Sequence, residues 1–136
     1  LFEVLLLQVL RWLLDHPEHG AMTEGLIHGL AHPKLARALT AMHESPGAAW
    51  ALGSMAQAAG MSRSAFAAEF KLHLGVTPAD YLLRWRVSLA QSMLLAGSSI
   101  KLASEKLGYA SAASFSRAFV LSVGQSPRAW LQDRQA

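Results

Sequence analysis

The chain has 136 residues, enough for one ordinary domain or two small ones, and 52% of them are hydrophobic, with a mean hydropathy of +0.25. It contains no cysteine, which excludes a disulfide frame, a thiolate nucleophile and a cysteine-ligated zinc site. The net charge of +3 is unevenly placed: residues up to Trp50 carry −2 and the remainder carries +5.

Residues 1–14 read LFEVLLLQVLRWLL. Glu3, Gln8 and Arg11 interrupt the run, which is shorter than the ~20 apolar residues that span a bilayer. It does not open with a basic region, as a secretory signal would. The reading is a buried or partner-packing helix ended by Asp15-His16-Pro17, because the residue before proline disfavours helix. Residues 18–31 hold a short helix despite Gly25 and Gly29. Pro33 starts the next helix, over residues 34–43, with Leu35, Leu39 and Met42 on one face. Glu44-Ser45-Pro46-Gly47 is a turn and the clearest boundary in the chain.

Residues 52–59 then form a short helix with Leu52, Met55, Ala56 and Ala59 inward. Gly60 makes a turn, Ser62 caps the next helix, and Gly75 closes that helix near Leu74. Thr77 caps a long helix that has Pro78 at its first position and runs to Ala96. Gly97-Ser98-Ser99 breaks the chain again. Residues 100–107 and 111–123 make another helix pair around Gly108, followed by Gly124, Ser126-Pro127 and a last short helix. No stretch alternates as a strand would.

These elements repeat. Gly60, Ser62, Phe66 and Phe70 are answered by Gly108, Ser111, Phe115 and Phe119, and Gly75-Val76-Thr77-Pro78 by Gly124-Gln125-Ser126-Pro127. The glycines lie 48 positions apart and the second phenylalanines 49, so one residue is inserted between glycine and phenylalanine in the second copy. In each copy a glycine turn opens a helix with two phenylalanines on one face and small or polar residues on the other. That pattern fits the second helix of a helix-turn-helix, which must be slim to enter a major groove ~12 Å wide. The fold expected is all-α: two helix-turn-helix subdomains, over residues 52–77 and 99–127, joined by a linker helix over 78–96 and preceded by leading helices.

Residues 46–136 resemble the DNA-binding domain of the AraC/XylS family of bacterial transcription regulators. The resemblance rests on Gly108-Tyr109, Ser114-Phe115-Ser116-Arg117-Ala118-Phe119, Gly124 and Ser126-Pro127, together with Met61-Ser62-Arg63-Ser64-Ala65-Phe66 and Tyr81-Leu82-Leu83-Arg84-Trp85-Arg86. Residues 1–45 are similar to the end of the cupin-like sensor domain and its linker helices in one branch of the family. It implies that the effector-binding barrel is missing from this fragment, which begins at Leu1. It also implies a cytoplasmic protein with no enzymatic activity and no cofactor, whose partner is double-stranded DNA. Base-facing positions in the first copy correspond to Ser64, Ala67 and Ala68, and Glu69 stands where a base is common. In the second copy Ala110, Ala112 and Ala113 replace frequent polar residues, Val120 and Leu121 stand where Lys or Arg is usual, and Arg117 is retained.

The resulting candidate DNA-contacting residues are Arg63, Ser64, Ala67, Ala68, Lys71, Arg84, Arg86, Ser111, Ala112, Ala113, Ser114, Ser116 and Arg117. Arginine to guanine is the commonest specific pairing, which singles out Arg117 and Arg63. Lys71, Arg84, Arg86, Lys101 and Lys106 read as phosphate neighbours or as surface charges. Phe66, Phe70, Phe115 and Phe119 read as core. Residues 1–14 offer a possible homodimer contact. The competing reading is a degenerate helix-turn-helix acting as a protein-interaction module. His28 and His32 stand i, i+4 and could share a metal, but Gly29 replaces the glutamate of the zinc-protease pattern and no third ligand is evident. No metal or catalytic site is therefore expected.

Overall fold

The computed structural model describes residues 27–135, with the side chains to Arg134. The expected helix at residues 1–14, with its homodimer contact, and His16 and His19 lie outside the described residues. A helical turn at 27–30 leads into α1 (Pro33–Glu44), α2 (Leu52–Ala59), α3 (Arg63–Leu74), α4 (Pro78–Leu95), α5 (Ile100–Lys106), α6 (Ala112–Val123) and α7 (Pro127–Gln135). Among the described residues there is no strand, and no helix is long and apolar enough to cross a membrane.

The helices divide into two compact units. The first takes in the described residues up to Ser45 together with Trp50–Asp80, and the second Pro46–Ala49 with residues 81–135. In the first, α1 packs on α2 and α3. Leu35, Ala38, Leu39 and Met42 of α1 are buried, as are Met55, Ala56 and Ala59 of α2 and Phe66, Phe70 and Leu74 of α3. The turn at 44–47 thus does not set α1 apart from the first helix-turn-helix. Leu52, expected inward, is 40% exposed: it stands in the first turn of α2, and the buried positions of that helix begin at Met55.

The second unit is built on Phe115 and Phe119, both fully buried among Val87, Ala90 and Leu94 of α4, Ala103 and Leu107, and Trp130 of α7. The rings meet in tilted and edge-on pairs, with centroids 5.9 Å apart for Phe115–Phe119 and 5.8 Å for Phe119–Trp130. Aromatic pairs favour such geometries because a ring's positive edge meets a negative face. Phe66 and Phe70 make the corresponding pair in the first unit at 5.4 Å.

Caps fix the helix starts as the sequence suggests. Ser62, Ser99 and Ser111 accept hydrogen bonds from the N–H groups of Ala65, Leu102 and Ser114, Thr77 from Asp80, and Ser126 from Ala129. Each satisfies a donor that has no carbonyl within the helix. The inserted residue of the second copy falls between Gly108 and its cap, Ser111. The turn absorbs it, and the helix behind keeps its register.

Candidate nucleic-acid interface

In a helix-turn-helix the second helix presents its outer face because its inner face is spent on the core. Here Phe66 and Phe70 spend that face in α3, and Phe115 and Phe119 in α6. Aligning the phenylalanines matches Ser64 with Ala113, Ala67 with Ser116, Ala68 with Arg117, Lys71 with Val120 and Leu72 with Leu121. The outer faces are therefore built alike and charged differently.

On α3, Ser64, Ala68 and Lys71 are exposed and Ala67 is half-buried. Lys71 is the base of that face. On α6, Ala112, Ala113 and Arg117 are exposed and Ser116 is half-buried. Arg117 lies two positions from both Phe115 and Phe119, about 200° around the helix from either at 100° per residue, and so points away from the core. Leu72 and Leu121 occupy one register and are among the most exposed large apolar side chains described, at 74% and 79%. In the sequence, Leu121 registers only as the loss of a base, and Leu72 carries no signal of its own. The signal that pairs them is the repeat register itself.

Other candidates have duties inside the fold. Ser111 and Ser114 form a reciprocal capping box: the Ser111 hydroxyl accepts from the Ser114 N–H at 3.0 Å, and the Ser114 hydroxyl accepts from the Ser111 N–H at 3.2 Å. Arg63 is exposed and its guanidinium lies across Gly53, so that a Cβ at Gly53 would sit 3.0 Å from Arg63 Nε. Arg84, Lys101 and Lys106 are exposed.

Arg86, expected beside the phosphates, is turned to the protein. Its Nε donates to the carbonyl of Pro46 at 2.7 Å and its Nη2 to that of Ala48 at 2.8 Å. The guanidinium also lies over the Tyr109 ring, 5.6 Å from its centroid. Burial raises the Tyr109 phenol above its ordinary pKa, and the charge and hydrogen bond of Arg86 oppose that rise. Arg86 is thus committed to holding the segment Pro46–Ala49. That segment passes so close to the turn after α5 that Gly47 and Gly108 face each other: a Cβ on Gly108 would lie 2.5 Å from the Gly47 carbonyl oxygen. With φ at +84°, Gly108 is excluded from side-chain substitution on two grounds.

Among the described residues, the group of three close ligand residues does not include His28. His32 instead meets Glu69 and His73 of α3, a convergence that the sequence spacing does not reveal.

Two tandem units in which a slim outer face is backed by a buried aromatic pair define a helix-turn-helix protein. The helix-turn-helix domain family matches residues 55–133, more than half of the chain. The chain is 37% identical over 125 residues to a putative AraC-like transcription regulator of Streptomyces lividans, covering 91% of this chain and 40% of that protein. To the regulator AlkR of Acinetobacter baylyi it is 34% identical over 133 residues, covering 97% and 42%. The chain thus spans about two fifths of the length of these relatives. Among solved structures it resembles the DNA-binding domain of AdpA in complex with a target DNA, with a TM-score of 0.69, 25% identity, and coverage of 74% of this chain and 91% of that one. It also resembles an AraC-type regulator from Chromobacterium violaceum, with a TM-score of 0.68, 27% identity, and coverage of 76% and 94%. The chain belongs to the AraC family, as the helix-turn-helix DNA-binding domain of that family.

Proposed function

We propose that this chain is the DNA-binding part of a cytoplasmic bacterial transcription regulator that acts by binding, with no catalysis of its own. α3 and α6 enter successive major-groove segments of one duplex. The observation that carries this reading is the matched outer faces of α3 and α6, each slim and carrying one basic side chain, with an exposed leucine in common register, above a buried phenylalanine pair.

The faces suggest a division of labour. Arg117 reads a base edge, and Lys71 with Arg84, Lys101 and Lys106 neutralises phosphates. Leu72 and Leu121 suit thymine methyl groups, an apolar contact that discriminates bases without a hydrogen bond. Ser64, Ala67, Ala68, Ala112, Ala113 and Ser116 let the helices approach closely. Arg63, Ser111 and Ser114 shape the approach, because their polar groups are already used or laid against the fold. Arg86 supports the second unit from behind. Residues 1–14 remain a candidate dimer contact in the parent protein.

Titrating a mixed-sequence duplex into the chain at rising salt tests the proposal. Binding whose logarithm falls linearly with the logarithm of salt concentration, with a slope near −0.9 per neutralised phosphate, is the expected result. No binding at low salt would assign the domain to protein interaction instead.

A further inference from the structure

We infer that His32, Glu69 and His73 form a transition-metal site on the side of α3 away from its proposed DNA-reading face. Two of the ligands come from one helix turn: Glu69 and His73 are i, i+4 on α3, with Glu69 Oε2 3.2 Å from His73 Nε2. The third comes from the segment entering α1, where His32 Nε2 lies 3.9 Å from the same carboxylate oxygen. All three ligand atoms lie within 4.8 Å of one another. Zinc with bonds of 2.0–2.1 Å to histidine and 2.0–2.2 Å to carboxylate holds tetrahedral neighbours about 3.3–3.5 Å apart. One edge of the triangle is already near that length, and the others close by small rotations of partly exposed side chains. The two imidazoles meet edge to face with centroids 5.3 Å apart.

Two histidines and a carboxylate with a fourth position open to solvent suit a borderline divalent ion such as Zn2+, rather than Ca2+ or Mg2+, which take oxygen ligands. The side chains are 25%, 39% and 32% exposed, wet enough for an ion to enter and sheltered enough to hold one geometry. There is one specific cost. His32 Nδ1 accepts the Leu35 N–H as the cap of α1, at a long 3.4 Å. A neutral histidine that ligates through Nε2 carries its proton on Nδ1, so an ion at this site displaces that contact. The Leu35 amide therefore reports on occupancy. Counting 100° per residue, Glu69 and His73 sit about 170° around α3 from the mean direction of Ser64, Ala67, Ala68 and Lys71. An ion there pins the entry to α1 against α3 without touching the face that meets DNA. The site stands whether or not that face binds DNA.

Zinc chloride titrated by calorimetry into the metal-stripped full chain tests the inference. The expected result is one tightly bound Zn2+ that is weakened at least tenfold by His32→Gln, by His73→Gln and by the isosteric Glu69→Gln, and not by His28→Gln. The Leu35 amide resonance should shift on zinc addition in the unsubstituted chain and stay in place in Glu69→Gln, and circular dichroism in chelator should match for all variants. Absence of binding would overturn the site, as would zinc affinity unchanged in His73→Gln, zinc affinity lost equally in His28→Gln, or a Leu35 resonance indifferent to zinc.

Discussion

Arg86 Nε donates to the carbonyl oxygen of Pro46 at 2.7 Å across a separation of forty residues. With the second bond to Ala48 it holds the turn at Pro46–Ala49 within the second unit. Bonds from a charged donor are worth roughly 1.5–3 kcal/mol each, and the outer one here is exposed to water. Arg86→Ala should therefore destabilise the chain by about 2–3 kcal/mol. Arg86→Lys should recover little, because a point-like ammonium does not reproduce the fork that spans two carbonyls. Urea unfolding checks both, and an unchanged midpoint in either variant would remove the structural role.

Arg117→Ala should leave that midpoint in place, since Arg117 is exposed and points away from the core. Its effect is expected in binding. Loss of a base contact costs about 1–3 kcal/mol on the preferred duplex and relaxes the preference at one base pair. A phosphate role would instead weaken all duplexes alike and reduce the salt slope by about one. Affinities for matched and single-mismatch duplexes distinguish the two.

Phe115→Ala opens a cavity among Phe119, Trp130, Leu107 and Val87, where the ring is wholly buried. The expected cost is about 3–5 kcal/mol. DNA affinity should fall only through the unfolded fraction. A variant that melts as before and yet loses DNA would mean that the ring stacks on bases.

His43 gives the fold a pH dependence. Burial at the end of α1 lowers its pKa from 6.5 to about 4. The unfolded chain then takes up a proton between pH 6.5 and 4 that the folded chain refuses. Stability is fully present above pH 6.5, falls as pH drops through that window, and levels off near pH 4, for a total from this residue of about 3 kcal/mol. His43→Leu should flatten that part of the curve of unfolding free energy against pH. An equal slope in both proteins would show that His43 is not its source.

Much of this architecture is readable along the chain because it is local. Ser62, Thr77, Ser99, Ser111 and Ser126 announce helix starts, Gly60, Gly75 and Gly124 mark turns, and phenylalanines four apart mark a buried face. Where partners are distant in sequence, the reading fails. Nothing near Arg86 shows that its guanidinium is taken by Pro46 and Ala48, and its position in the long helix suggested only an outward charge. Helical spacing shows His32 beside His28 but gives no third ligand, and nothing in the sequence shows that His32 lies close to Glu69 and His73. Leu52 fits the apolar period of its helix, but it stands in the first turn, ahead of the first buried position at Met55. The outer faces of α3 and α6 were legible as slim. The shared register of Leu72 and Leu121 appears once both repeats are laid on the buried phenylalanines.

The central claim, that one chain reads DNA with two unlike helices, is tested most directly by hydroxyl-radical footprinting of a duplex selected from a random pool. Successive major-groove segments on one face of DNA recur every ~34 Å. Two protected clusters about 10 base pairs apart are predicted at protein concentrations where the chain is a monomer. The two half-sites should differ in sequence, because Arg117 in α6 has Ala68 as its counterpart in α3. Arg117→Ala should weaken protection in one cluster alone. A single protected cluster, or two clusters related by a dyad and seen only with dimers, would contradict the account.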